Sequence, residues 1–115
     1  MINFDQMPFI YWNDVTKISY LQRHVIINSL LYYELNESVI SDKEFDSISK
    51  QLVKMQRDVS REDFQNSQYY YCLKDFDGST GFYIKSKLNK KDRKRLFQIS
   101  AIVLRNYKAS KGKLK

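Results

Sequence analysis

A chain of 115 residues has room for one domain with a real core, and 43% hydrophobic with 15% aromatic content marks a globular rather than a disordered sequence. Three glycines and one proline are too few for the special turns of a β-sandwich or barrel, and a single cysteine, Cys72, excludes an internal disulfide and any zinc site built from several thiolates. The net charge of +7 is unevenly placed: residues 1–70 carry seven Lys/Arg against ten Asp/Glu, and residues 71–115 carry thirteen against three.

Phe4, Phe9, Ile10, Tyr11 and Trp12 make residues 1–12 too apolar for a loose tail, so an irregular arm or short helix packed on the core is expected there. The same stretch lacks the basic start and apolar run of a signal peptide. No segment approaches the roughly 18 apolar residues of a membrane span, and a cytoplasmic location is expected. Asn13 or Asp14 suits the N-cap of a helix. Val15, Ile18, Leu21, Val25 and Tyr32 then recur at helical spacing, flanked by Ile26, Leu30 and Leu31, a stripe broad enough to be buried on more than one side.

The pattern breaks over Ser38–Ile40. Ser41-Asp42-Lys43-Glu44 reads as a capping box, with Ser41 accepting from the Glu44 amide and the Glu44 carboxylate returning to the Ser41 amide. Phe45, Ile48, Leu52 and Met55 carry a second helix to about Gln56–Val59, and the short connection makes the pair an antiparallel αα-hairpin. Residues 57–68 are polar and predict a loop or short helical turn. Tyr69-Tyr70-Tyr71-Cys72-Leu73 has the composition of a strand but no evident partner, and Asp77-Gly78-Ser79-Thr80-Gly81 is a turn signal. Asn89 or the lysines after it open a last helix with Leu96, Ile99, Ile102 or Val103, and Tyr107 inward. The expected fold is therefore mainly α: an αα-hairpin and a third amphipathic helix, with a short tyrosine-rich irregular or strand segment. One domain covers residues 1–108, followed by a basic disordered tail over 109–115.

Tyr32-Tyr33, then Ile40-Ser41-Asp42-Lys43-Glu44-Phe45-Asp46, then Ile48 and Leu52 carry a further signal. This run, spanning about residues 20–56, resembles the helical N-terminal domain of NAD-dependent bacterial DNA ligases. That family reads Tyr, Tyr or His, a short turn, then Ile-Ser-Asp-x-Glu-Tyr-Asp. The resemblance implies a site for NAD through its nicotinamide mononucleotide (NMN) half. Tyr32 would stack on the nicotinamide ring, Tyr33 would lie near the phosphate, and Asp42 and Asp46 would accept hydrogen bonds from ribose hydroxyls or the carboxamide. Phe45 stands where the family has a second stacking tyrosine, keeping the ring face and losing the hydroxyl. A cationic ring favours an aromatic face by ~0.5–2 kcal/mol, and neighbouring carboxylates favour its charge. The same residues also admit structural readings: the tyrosines as the end of a core helix, Asp42 as a helix-start acid, Phe45 as core.

Catalysis is not expected. Ligase chemistry needs the lysine of Lys-x-Asp-Gly within a nucleotidyltransferase domain, whereas Lys74-Asp75-Phe76-Asp77-Gly78 has one residue too many and the chain has no room for that domain. No metal site is expected. His24, the sole histidine, lies mid-helix as a partly buried, hydrogen-bonded group. The overall pattern resembles small stand-alone ligase-like proteins of phages infecting Gram-positive bacteria. Lys90, Lys91, Arg93, Lys94 and Arg95 crowd the start of the last helix, where the dipole opposes them. With the tail they form either a solvated face or a contact for an acidic partner: a host protein such as a defence nuclease or replication factor, or nucleic acid.

Overall fold

The computed structural model describes residues 12–113, and among them it forms six helices and no strand. Of the aromatic arm expected over residues 1–12, only Trp12 lies within the described residues. Helix α1 (Asp14–Glu34) opens as expected, the Asn13 side chain accepting the Thr16 amide at 2.8 Å. Ile18, Val25, Ile26, Leu30 and Leu31 are buried to within 1%. These positions face more than one way, and α1 accordingly packs against both of the other long helices, Asp42–Asp58 and Lys90–Lys113. Each such aliphatic side chain contributes about 1.5–3 kcal/mol on burial.

The end of α1 turns the chain toward the second helix. The Leu35 amide reaches five residues back to the Leu30 carbonyl (3.2 Å), Asn36 takes a positive φ of 53°, and the Glu37 amide folds onto the Leu31 carbonyl at 2.9 Å. Asparagine tolerates the left-handed conformation that reverses a chain beyond a helix. Helix α2 (Asp42–Asp58) then starts at Ser41, whose hydroxyl accepts the Glu44 amide at 3.1 Å. The return half of the capping box differs from expectation: the Glu44 carboxylate accepts from the Ser41 hydroxyl (3.3 Å) instead of the Ser41 amide. Leu52 is fully buried, and Phe45, Ile48 and Met55 pack beside it, closing the helical hairpin against α1.

Two short helices come next, α3 (Arg61–Gln65), capped by Ser60, and α4 (Tyr70–Leu73). The tyrosine-rich segment is thus one helical turn, with the Cys72 and Leu73 amides both bonding the Tyr69 carbonyl at 3.0 Å. A strand needs a partner edge; here Tyr69, Cys72 and Leu73 instead drop into the core at 0–1% exposure. After the Asp77–Gly81 turn come α5 (Ile84–Lys87) and α6 (Lys90–Lys113). Asn89 opens α6 by accepting the Asp92 amide at 2.7 Å. Leu96 and Ser100 are fully buried and Val103 is partly so, while Ile102 is 48% exposed, so Val103 takes the inward position. The helix also continues through residues 109–113, which sequence assigned to a disordered tail. Ala and Lys there favour helix, and the Lys111 ammonium stands 4.8 Å from the Tyr107 ring centroid one turn back.

A buried amide network ties these parts together. Gln22 of α1 donates to Gln56 of α2 (3.2 Å) and to the Ser67 hydroxyl (2.9 Å), and accepts from the Tyr69 amide (3.0 Å). Gln56 in turn donates to the Leu73 carbonyl at 3.2 Å. Among the described residues no helix is long and apolar enough to cross a membrane.

Candidate functional site

Where α1 ends and α2 begins, a cleft of about 190 Å³ opens to solvent. Its first wall is the last turns of α1. Tyr32, 52% exposed, and Tyr33, 40% exposed, meet edge to face at 4.8 Å between centroids. The Tyr33 hydroxyl shares a hydrogen bond of 3.1 Å with Thr80 Oγ1, which also accepts the Phe82 amide at 3.2 Å. One turn earlier, Asn28 is buried and lines the cleft; its Nδ2 donates to the His24 carbonyl at 2.9 Å. That bond fixes which way the amide points, because only its nitrogen can donate to a carbonyl. It leaves Asn28 Oδ1 as an acceptor with no donor among the described residues.

The opposite wall is the first turn of α2. Asp42 and Asp46 are both exposed, lie four residues apart on one helix face, and line the cleft with no ion pair among the described residues. Phe45 serves two roles, lining the cleft and packing partly buried against the core. All five residues singled out by the sequence resemblance, Tyr32, Tyr33, Asp42, Phe45 and Asp46, therefore border one space.

The floor comes from the Asp77–Gly81 segment, which the sequence marks as a turn and which was not among the expected site residues. Asp77 Oδ1 accepts from both the Ser79 amide (2.9 Å) and the Ser79 hydroxyl (2.6 Å), and these bonds hold the Asp77 carboxyl below its usual range. Gly78, at φ 85°, lies over α2, where an added Cβ would come within 3.3 Å of Val53 and 3.6 Å of the Ser49 carbonyl. Gly81 presses on α1: a Cβ there would overlap the Ser29 hydroxyl and sit 2.9 Å from Ser29 Cβ and 3.4 Å from Phe45 Cζ. The two contacts deliver Ser79 and Thr80 into the cleft beside Ser29, Ser38 and Ser41. Sequence reading missed these hydroxyls and Asn28. The available signal was a pair of glycines flanking two hydroxyl residues, a pattern suited to close backbone approach.

The basic cluster lies elsewhere and is not uniform. Lys90, Lys91 and Lys94 are exposed. Arg93 donates to the Leu88 carbonyl at 3.0 Å, and Arg95 donates to the Tyr69 hydroxyl at 2.8 Å while standing 3.9 Å from Asp92. None of the five lines the cleft. His24 stacks on Tyr20 at 5.5 Å, and burial, then the neighbouring Arg23 charge, hold its pKa below the ordinary value. Burial pushes the Cys72 thiol up to about 11, which keeps it protonated at neutral pH.

Chemically the cleft offers a ring face, two carboxylates, several hydroxyls and one unpaired amide acceptor, on Asn28. That set suits a ligand with a flat, electron-poor ring and a sugar rich in donors. No protein-family model, curated protein or solved structure matches the chain.

Proposed function

We propose that this protein binds nicotinamide nucleotides, NMN or the NMN half of NAD, as a non-catalytic module similar to the ligase N-terminal domain. The observation that carries the reading is the convergence of Tyr32, Tyr33, Asp42, Phe45 and Asp46 on one open cleft. In it the nicotinamide ring stacks on Tyr32, whose exposed face is available, and Phe45 closes the far side. Asp42 and Asp46 accept from the ribose hydroxyls or the carboxamide, and the two negative charges favour the cationic ring. Asn28 Oδ1 supplies the neutral acceptor that a carboxamide N–H requires.

Size agrees with part of a nucleotide and not the whole. A cleft of about 190 Å³ falls below the roughly 300–1,000 Å³ that encloses a drug-sized ligand, so a ring and its ribose fit while the phosphate stands at the mouth beside Tyr33. The alternative, capture of an acidic partner by the basic start of α6, rests on exposed cations that line no part of the cleft, and no second feature converges with them as the five cleft residues converge.

Titration calorimetry with NMN, NAD and nicotinamide tests the reading. Binding of NMN is expected, weakened about 2- to 30-fold in Tyr32→Ala, the range that a stacked cation–ring contact represents. Asp46→Ala should weaken it in the same direction. No heat with any of the three ligands at millimolar concentration would dispose of the proposal.

A further inference from the structure

Beyond Tyr33 the aromatic surface does not stop. Tyr33 meets Phe82 edge to face at 5.5 Å, and Phe82 meets Tyr83 at 5.1 Å. Phe82 and Tyr83 are 60% and 62% exposed, far more than packing alone explains for two large rings on a turn. They border a second groove, whose walls also include Lys85, Arg93 and the Glu34 carboxylate, and Tyr33 is common to both. Lys85 is paired with Glu34 at 2.8 Å, and one Arg93 nitrogen is bonded to the Leu88 carbonyl, but each cation keeps further N–H donors. Ring faces with adjoining cations are the combination that takes a base and its phosphate.

We propose that this second groove takes the other half of the dinucleotide, so that the chain binds intact NAD, with the adenine on Tyr83 and Phe82 and the pyrophosphate passing Tyr33 toward Lys85 and Arg93. The proposal rests on the nicotinamide reading of the first cleft. Two observations favour a dinucleotide over a separate ligand. The two spaces share the Tyr33 wall. The first, at about 190 Å³, is too small for more than a ring and its ribose.

Calorimetry comparing NMN with NAD, on the wild-type chain and on Tyr83→Ala, separates the two claims. Tyr83 is exposed and its side chain makes no hydrogen bond among the described residues, so its removal leaves the fold intact. NAD is expected to bind about tenfold more tightly than NMN, as one stacked base contributes. Tyr83→Ala should bring NAD to the NMN value and leave NMN unchanged. Equal affinities for the two ligands in the wild-type chain would overturn the second groove while leaving the first cleft standing. A tenfold preference for NAD that survives Tyr83→Ala would overturn the placement of the adenine. Failure of both ligands to bind would remove the inference together with the reading beneath it.

Discussion

At the scale of single residues the cleft depends on one hydrogen atom where other amino acids carry carbon. Gly81 lies so close to Ser29 that a methyl group must displace either the α1 side chain or the turn itself. Ser29 has little freedom to yield, being buried and bonded through its hydroxyl to the Val25 carbonyl at 2.8 Å. Gly81→Ala is therefore expected to push the turn outward, drawing Ser79 and Thr80 from the cleft and breaking the Thr80 bond to Tyr33. Overpacking of this kind costs about 1–3 kcal/mol. Denaturant unfolding should show that loss, and NMN affinity should fall alongside it. An alanine variant with wild-type stability and binding would mean that the close approach does not hold the turn in place.

Among the elements, those with a long repeat are the ones sequence predicts well. Helices α1 and α2 announce themselves by caps at Asn13 and Ser41 and by several turns of regular apolar spacing, and their shared corner arises from the short link between them. Helix α4 has four residues and so no period to read; the strand-like Tyr69–Leu73 composition reflects burial, since Tyr69, Cys72 and Leu73 fill the core. The cleft divides in the same way. Its two helical walls come from residues near in sequence, whereas Ser79 and Thr80 arrive across a separation of some fifty residues, and nothing local says where a glycine turn will dock. Asn28 escaped notice because a polar residue within a buried stripe shows no periodic signal of its own. The junction of α4 with α6 is equally non-local. The Tyr71 hydroxyl donates to Asp92 at 2.5 Å and accepts the Asn89 amide at 3.3 Å, latching one helix to the start of the other. Burial first, then the Asp92 hydrogen bond, raise the Tyr71 pKa to about 12 from its ordinary value of 10.0. A group whose pKa is raised by folding stabilises the fold while protonated, so this contribution is full below about pH 10 and fades as pH rises through about 12. Tyr71→Phe should cost about 1 kcal/mol at neutral pH, the net value of such a bond at a partly exposed site. Its deficit relative to wild type should then shrink between pH 10 and 12 in urea unfolding curves; a deficit constant across that range would refute the latch.

For the molecule as a whole, stability and the proposed recognition fall to different residues, which makes them separable by experiment. The cleft's tyrosine and carboxylates are exposed side chains: Tyr32 is 52% exposed, and Asp42 and Asp46 also face solvent. Replacing such residues changes stability by no more than about 0.5 kcal/mol. The centre is different. Gln22 is fully buried and joins α1 to α2, to Ser67 and to the Tyr69 backbone, so α1, α2 and the segment between α3 and α4 meet at its amide. Gln22→Ala strands the Gln56 carbonyl oxygen and the Tyr69 amide without partners in the interior, each at about 1–3 kcal/mol, against a total stability of roughly 5–15 kcal/mol for a domain. Its thermal midpoint should fall by about 10 °C or more, since 1 kcal/mol corresponds to roughly 4 °C at this chain length. Tyr32→Ala and Asp46→Ala should stay within a few degrees of wild type while losing NMN affinity. If instead the cleft variants unfolded as readily as Gln22→Ala, the tyrosine and the carboxylates would be structural members of the hairpin, and their loss of binding would say nothing about contact with a ligand.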